Sequence, residues 1–186
     1  MSQPFLFSEH DQHAMQQALA LARQAWSEGE VPVGAVVTDA NGSIIGAGRN
    51  QTISAHDPSA HAEMVALRAA ALACENYRLP EATVYVTLEP CAMCIGALLH
   101  ARVKRVVYAA SDPKTGACGS VLALHDSALN HQTRLQGGLL AEEASTLLRA
   151  FFKERRELSR QAKERARASL SSQAQALADS MQKRDH

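Results

Sequence analysis

Between His13 and Trp26 the apolar residues Ala14, Ala18, Leu21, Ala22 and Ala25 recur every three or four positions, which predicts an amphipathic helix stopped by Gly29. The pattern then shortens. Residues 33–38 and 44–48 are two small apolar runs, separated by Asp39-Ala40-Asn41-Gly42. An Asn-Gly pair between such runs predicts a β-hairpin. Residues 51–60 read as a loop. Within it, His56-Asp57-Pro58-Ser59 carries capping and first-turn chemistry, so an alanine-rich helix is expected from about 59 to 75. Residues 83–88 are β-branched and aromatic, hence a strand. Glu89-Pro90 turns the chain, and a helix is expected over 91–100, followed by a strand over 105–110. Residues 112–120 form a polar loop, 121–127 a short helix, and 134–140 a last strand weakened by two glycines. A closing amphipathic helix over 142–157 turns Leu147, Leu148, Phe151 and Phe152 inward.

Strands alternate with helices after the hairpin, which predicts an α/β sandwich around a mixed sheet. Past residue 158 the composition turns to Arg, Ser, Gln and Ala, so a frayed helix passing into a disordered tail is expected there. The chain is thus divided into a domain over 10–157 and a basic helical extension over 158–186. No internal repeat is present.

Length and composition agree with one globular domain: 186 residues, 46% hydrophobic and 20% charged. No apolar run reaches the roughly 18 residues of a membrane span. The first twelve residues have neither a positive n-region nor an apolar h-region, so no signal peptide is expected and the cytoplasm is the expected location. The net charge of zero is uneven. Residues 1–152 hold 10 basic against 14 acidic side chains, and residues 153–186 hold 9 against 5. A basic end on an acidic body fits nucleic-acid contact, or a solvated helix face.

The candidate chemistry lies in the cysteines. Cys91 and Cys94 stand three apart at an expected helix start, which puts both sulfurs on one face. Helix N-termini favour the thiolate. The pair fits half of a tetrahedral zinc site, a redox Cys-x-x-Cys, or two buried thiols. Cys74 and Cys118 lack a local partner and are expected to be small buried side chains. His61 and Glu63 open the other central helix. Read with the cysteines, His61 completes three ligands and leaves the fourth position open, as in catalytic zinc. Glu63, two residues from the ligand, suits a proton carrier.

These residues carry a resemblance. His61-Ala62-Glu63 with Pro90-Cys91-Ala92-Met93-Cys94 matches the signature of the zinc nucleobase deaminases. Glu30-Val31-Pro32-Val33-Gly34-Ala35, Gly46-Ala47-Gly48-Arg49-Asn50 and His56-Asp57-Pro58-Ser59-Ala60-His61 extend it. So do Tyr85-Val86-Thr87-Leu88-Glu89-Pro90-Cys91, Asp112-Pro113-Lys114-Thr115-Gly116-Ala117-Cys118-Gly119-Ser120 and Asn130-His131. Over residues 10–157 the chain resembles the bacterial tRNA-specific adenosine deaminases. The resemblance implies a cytidine deaminase-like fold, a three-layer α/β/α sandwich with a mixed five-stranded sheet. It implies a homodimer with one Zn2+ per subunit, and conversion of adenosine to inosine at the wobble position of an arginine tRNA anticodon. His61, Cys91 and Cys94 fall on the zinc ligands and Glu63 on the catalytic glutamate. Asn50 falls on a nucleoside contact and Asp112 where the RNA approaches. Arg155 and Arg156 fall on a helix that meets the anticodon stem-loop. Lys114, Arg134 and Asn130 are further candidates for the RNA surface. Arg49 departs from the family, standing where an aromatic residue often precedes the asparagine. Two other readings stay open at this point: a deaminase of a free base of guanine or cytosine type, and a non-catalytic zinc-stabilised RNA-binding module.

Overall fold

The computed structural model describes residues 7–126 and 128–182, with side chains to residue 170. Ser127 of the expected short helix lies outside the described residues, as do residues 1–6 of the stretch read for a leader and residues 183–186 of the expected tail. The described chain forms α1 (Glu9–Ser27), β1 (Gly34–Thr38), β2 (Ile44–Arg49), α2 (Ala62–Ala73), β3 (Thr83–Leu88), α3 (Ala92–His100), β4 (Arg105–Ala110), a 3-10 turn (Leu124–Asp126), β5 (Arg134–Gly137) and α4 (Ala141–Gln182). Two compact units result, Met1–Leu148 and Arg149–His186.

The sheet order is β2-β1-β3-β4-β5. β1 runs antiparallel to β2 and β3, whereas β3, β4 and β5 run parallel. This is the expected mixed five-stranded sheet. Side chains alternate across it, as the pleat requires. Ala35, Val37, Val84, Val86 and Val106 face a core shared with Ala66 and Ala70 of α2 and Ile95 and Leu98 of α3. Val36, Tyr85 and Val107 face the opposite core with Met15, Ala18 and Leu19 of α1 and Ala144 of α4. Helices therefore cover both faces, giving three layers.

Several boundaries differ from the sequence expectation for local reasons. α1 starts four residues early because Ser8 and Asp11 form a reciprocal capping box. α2 starts three residues late. The Asp57 carboxylate accepts from the amide and hydroxyl of Ser59 at 2.8 and 2.7 Å, closing a local turn, and His61 becomes the N-cap. β5 ends at Gly137 because Gly138 and Leu140 both take positive φ. α4 runs on past Leu158 to Gln182. Of its inward-turned pair, Phe151 is buried but Phe152 is exposed. Cys74, expected to be buried, is exposed at the C-cap of α2.

Two glycines set the depth of α2. A Cβ on Gly46 would lie 2.4 Å from the Ala66 carbonyl oxygen, and one on Gly48 would lie 2.5 Å from the Ala66 nitrogen. The bare backbone of β2 lets α2 settle directly on the strand, with the His61 end at the C-terminal edge of β2.

Candidate metal centre and active site

His61 and Cys91 are the N-caps of α2 and α3, and neither uses its side chain to cap. An N-cap is normally Ser, Thr, Asp or Asn, whose side-chain oxygen takes up a free amide of the first turn. Here the two side chains turn to each other instead. The Cys91 sulfur is 3.7 Å from His61 Nδ1 and 3.6 Å from the Cys94 sulfur, and the Cys94 sulfur is 3.5 Å from His61 Nδ1. The capping of α2 is delegated to Asn50, whose Oδ1 accepts from the Ala62 amide at 3.0 Å.

This triangle fits a metal ion. Zinc bonds of about 2.3 Å to sulfur and 2.0–2.1 Å to nitrogen, arranged tetrahedrally, require ligand separations of about 3.5–3.8 Å. Among the described residues, His61, Cys91 and Cys94 form the one group of three or more His, Cys, Asp or Glu side chains able to hold a metal. Two sulfurs and an imidazole suit zinc, and three protein ligands leave one tetrahedral position for water.

The electrostatics agree. The hydrogen bond between the Cys91 and Cys94 sulfurs, together with the His61 imidazole, holds Cys91 down to about 4, in spite of burial. The same bond, and burial, push the Cys94 thiol upward. His61 is raised, chiefly by its bond to Cys91. Three groups at this separation share protons that a bound metal would displace. Glu63, in the first turn of α2, is only 4% exposed. Burial pushes its carboxyl up to about 7. A group poised there can both accept and release a proton near neutrality.

Cys118 stays outside the triangle. It is buried, and burial pushes its thiol up to about 12. Its amide donates to Glu89 at 3.0 Å.

Two buried acids that the sequence reading left without a role hold the loops around the centre. The Glu30 carboxylate accepts from the amides of Ile53 and Ser54 at 2.9 and 2.7 Å, fixing the 51–60 loop. The Glu89 carboxylate accepts from the amides of Asp112, Cys118 and Ser120 at 2.9, 3.0 and 3.1 Å and from the Ser120 hydroxyl. Gly116 packs so close that a Cβ would lie 2.4 Å from the Glu89 Cδ. Gly116 also bridges to Cys91, and the Ala117 amide donates to the Pro90 carbonyl at 2.8 Å, so the 112–120 loop is stitched to the metal-binding segment. For Glu89 the available signal was a lone carboxylate directly after an apolar strand; Glu30, two residues from Glu28, carried none.

The remaining candidates divide. Asn50 is buried beside the triangle through its bond to Ala62. The Asp112 carboxylate is occupied within its own loop, accepting from the Lys114 amide at 2.9 Å and the Thr115 hydroxyl at 2.7 Å. Lys114, Asn130 and Arg134 are exposed, and the Asn130 carbonyl accepts from Arg102 at 3.0 Å. Arg155 and Arg156 are exposed on α4 in the second unit, with the Arg155 guanidinium 5.4 Å from the Phe151 ring centroid. Arg49 donates twice to Glu28, at 2.7 and 2.8 Å. That fork ties the end of β2 to the end of α1 and accounts for arginine where the family often has an aromatic residue.

Comparison with known proteins agrees with this geometry. Residues 8–110 match the cytidine and deoxycytidylate deaminase zinc-binding region. A Haemophilus influenzae protein named tRNA-specific adenosine deaminase is 52% identical over 151 residues, covering 81% of this chain and 87% of that one. A Bacillus subtilis protein of the same name is 42% identical over 154 residues, covering 82% and 95%. A solved structure from studies of A-to-I editing by tRNA:A34 deaminases at the wobble position superposes with a TM-score of 0.71. It is 40% identical and covers 73% of this chain and 99% of that one. The chain belongs to the cytidine and deoxycytidylate deaminase zinc-binding family and, within it, to the tRNA-specific adenosine deaminases.

Proposed function

We propose that this protein hydrolyses adenosine to inosine at the wobble position of a tRNA anticodon, that of an arginine tRNA, with release of ammonia. The observation that carries the reading is the open triangle of His61, Cys91 and Cys94 with a buried Glu63 carboxyl in the adjoining turn. Zinc held by those three side chains would act as a Lewis acid that makes water easy to deprotonate. Glu63 takes up that proton and delivers it to N1 of adenine as oxygen adds to C6; it then takes the second proton from the C6 hydroxyl and gives it to the amine, which leaves as ammonia as the C6–N bond breaks and the C6 carbonyl forms. Its dry surroundings raise the carboxyl towards neutrality, the range in which one group can both take up and give back a proton. Asn50 orients the nucleoside. Its Oδ1 is engaged by Ala62, so it meets the nucleoside through the hydrogens of Nδ2.

The substrate is reached as RNA. Lys114, Asn130 and Arg134 on the first unit, and Arg155 and Arg156 on the second, are exposed groups suited to phosphates and to splayed loop bases. Asp112 contributes by shaping its loop. The enzyme works as a homodimer in the cytoplasm. Exposed Ile53, Leu72, Tyr77 and Met93 support a subunit contact, and a monomer by sedimentation would exclude it. Among the described residues no helix is long and apolar enough to cross a membrane.

The test is to incubate the zinc-loaded protein with an arginine tRNA transcript, sequence the anticodon loop, and offer free guanine and cytosine in parallel. Inosine at the wobble position is expected, with both free bases unchanged. Ammonia released from a free base but not from tRNA would overturn the assignment in favour of small-molecule deamination.

A further inference from the structure

β2 is the edge strand of the sheet, paired to β1, and its Gly46 and Gly48 bring no side chains to the crossing with α2. Glycine weakens a strand, and the end of an edge strand is among the first parts of a sheet to open. Asn50 nevertheless has to be held closely there. Its Oδ1 accepts from the Ala62 amide at 3.0 Å, one residue from His61, and its own amide donates to the Val33 carbonyl at 3.0 Å. Side chains alternate between the two faces of a strand. Gly46, Gly48 and Asn50 meet α2, so Arg49 turns to the opposite face, where α1 ends. There its guanidinium takes both oxygens of Glu28, Nε donating at 2.8 Å and Nη2 at 2.7 Å.

Glu28 does not serve its own helix. It is the C-cap of α1, and a carboxylate at a helix C-terminus faces the negative end of the dipole. Its amide is fixed on the Gln24 and Ala25 carbonyls at 3.2 and 3.1 Å, which makes the residue a firm anchor. Two residues on, Glu30 holds the amides of Ile53 and Ser54, so the chain leaving α1 and the chain leaving β2 are laced together on both sides of Asn50.

We infer that Arg49 is a positioning residue for the reaction: its fork to Glu28 clamps the end of β2 so that Asn50 keeps Oδ1 on Ala62 and offers Nδ2 to the nucleoside. A planar guanidinium on a carboxylate fixes direction as well as distance, which a single ammonium contact does not. Asn50 is thus held from both faces of the sheet, by α2 through its own side chain and by α1 through its neighbour's. The inference rests on the proposed role of Asn50 toward the nucleoside.

The test uses the zinc-loaded full chain carrying Arg49→Lys or Glu28→Gln. Each keeps the size and polarity of a partly exposed side chain but breaks the fork, and circular dichroism should match wild type. Amide hydrogen exchange is read at Ala62, with Ile95 as internal reference because its amide bonds to the Cys91 carbonyl, away from the clamp. In both variants Ala62 is expected to exchange about two- to fivefold faster, the size that a partly exposed ion pair supports, while Ile95 stays as in wild type. On an arginine tRNA transcript, kcat/KM is expected to fall about tenfold in each variant, because small misplacements of an orienting group are costly. Adding Arg49→Lys to Asn50→Ala is expected to cost nothing further, since Arg49 acts through Asn50. Unchanged exchange at Ala62 overturns the inference. So does equal acceleration at Ala62 and Ile95, which would mark a general loss of stability, and so does an unchanged kcat/KM or a loss that adds fully to that of Asn50→Ala. If wild type forms no inosine, the proposed activity fails, while the exchange at Ala62 still decides whether Arg49 holds Asn50.

Discussion

A carboxyl shut away from water cannot be charged cheaply, and Glu63 shows what that does beside a metal-binding triangle. His61 and Cys91 leave their own helix starts uncapped and supply ligand atoms instead, while Asn50 caps α2 from the end of β2. The division of labour gives separable losses. Glu63→Gln is expected to retain zinc at wild-type stoichiometry by elemental analysis, yet lose at least about 10²–10⁴-fold in inosine formation. Cys91→Ala is expected to lose zinc itself. A zinc-to-protein ratio unchanged by that substitution would overturn the ligand assignment. The ligand and carrier types were legible in the sequence because zinc chemistry restricts both residue types and spacing. The roles of Glu30 and Glu89 were not, because their partners are amides of loops 20 to 30 residues away.

At the scale of elements, the site depends on how closely helices approach the sheet. Gly46 and Gly48 leave β2 bare where α2 crosses it, and the atoms a side chain would strike are backbone, which cannot swing aside. Gly48→Ala is expected to cost about 1–3 kcal/mol of stability, measured by urea denaturation. It should also weaken zinc affinity in a chelator competition, because α2 carries His61 away from the cysteines on α3. Unaltered zinc affinity in a destabilised variant would show that α2 yields without moving its first turn. Strands β3 and β4 agree with the sequence expectation to the residue, since β-branched runs between turns define them locally. The start of α2 shifted because Asp57 can either cap a helix or close a turn, and the extended backbone of His61 decides for the turn.

Across the first unit, a buried charge cluster joins α1 to the sheet. The Asp11 carboxylate accepts from Tyr85 at 2.7 Å, from Arg105 at 2.6 Å and from the Ser8 amide at 2.9 Å. Burial pushes its carboxyl up, but these donors, Arg105 foremost, outweigh it and hold Asp11 well below the usual carboxylate range. A depressed folded-state value adds stability that is fully present above the unfolded value of about 3.9 and disappears as pH falls towards the folded one. Asp11→Asn is therefore expected to be less stable than wild type by about 1–3 kcal/mol, constant from about pH 5 to 8, the gap narrowing below about pH 4. Urea denaturation at several pH values reads this directly. A gap that persists unchanged at pH 3 would mean that Asp11 acts by packing rather than by charge.

By itself the sequence determined the alternation of strands and helices, the three ligand types and the carboxyl that serves them, because each is written in short-range periodicity or spacing. Only the tertiary structure decided that residues 30 positions apart come to within 3.5–3.7 Å, that Asn50 caps a helix from another element, and that Glu30 and Glu89 pin the loops. It likewise decided that Arg49 turns to Glu28 and that Cys74 faces solvent. The physical reason is common to all of them. Burial and hydrogen-bond partnership depend on which segments the sheet brings side by side, and no local pattern encodes that.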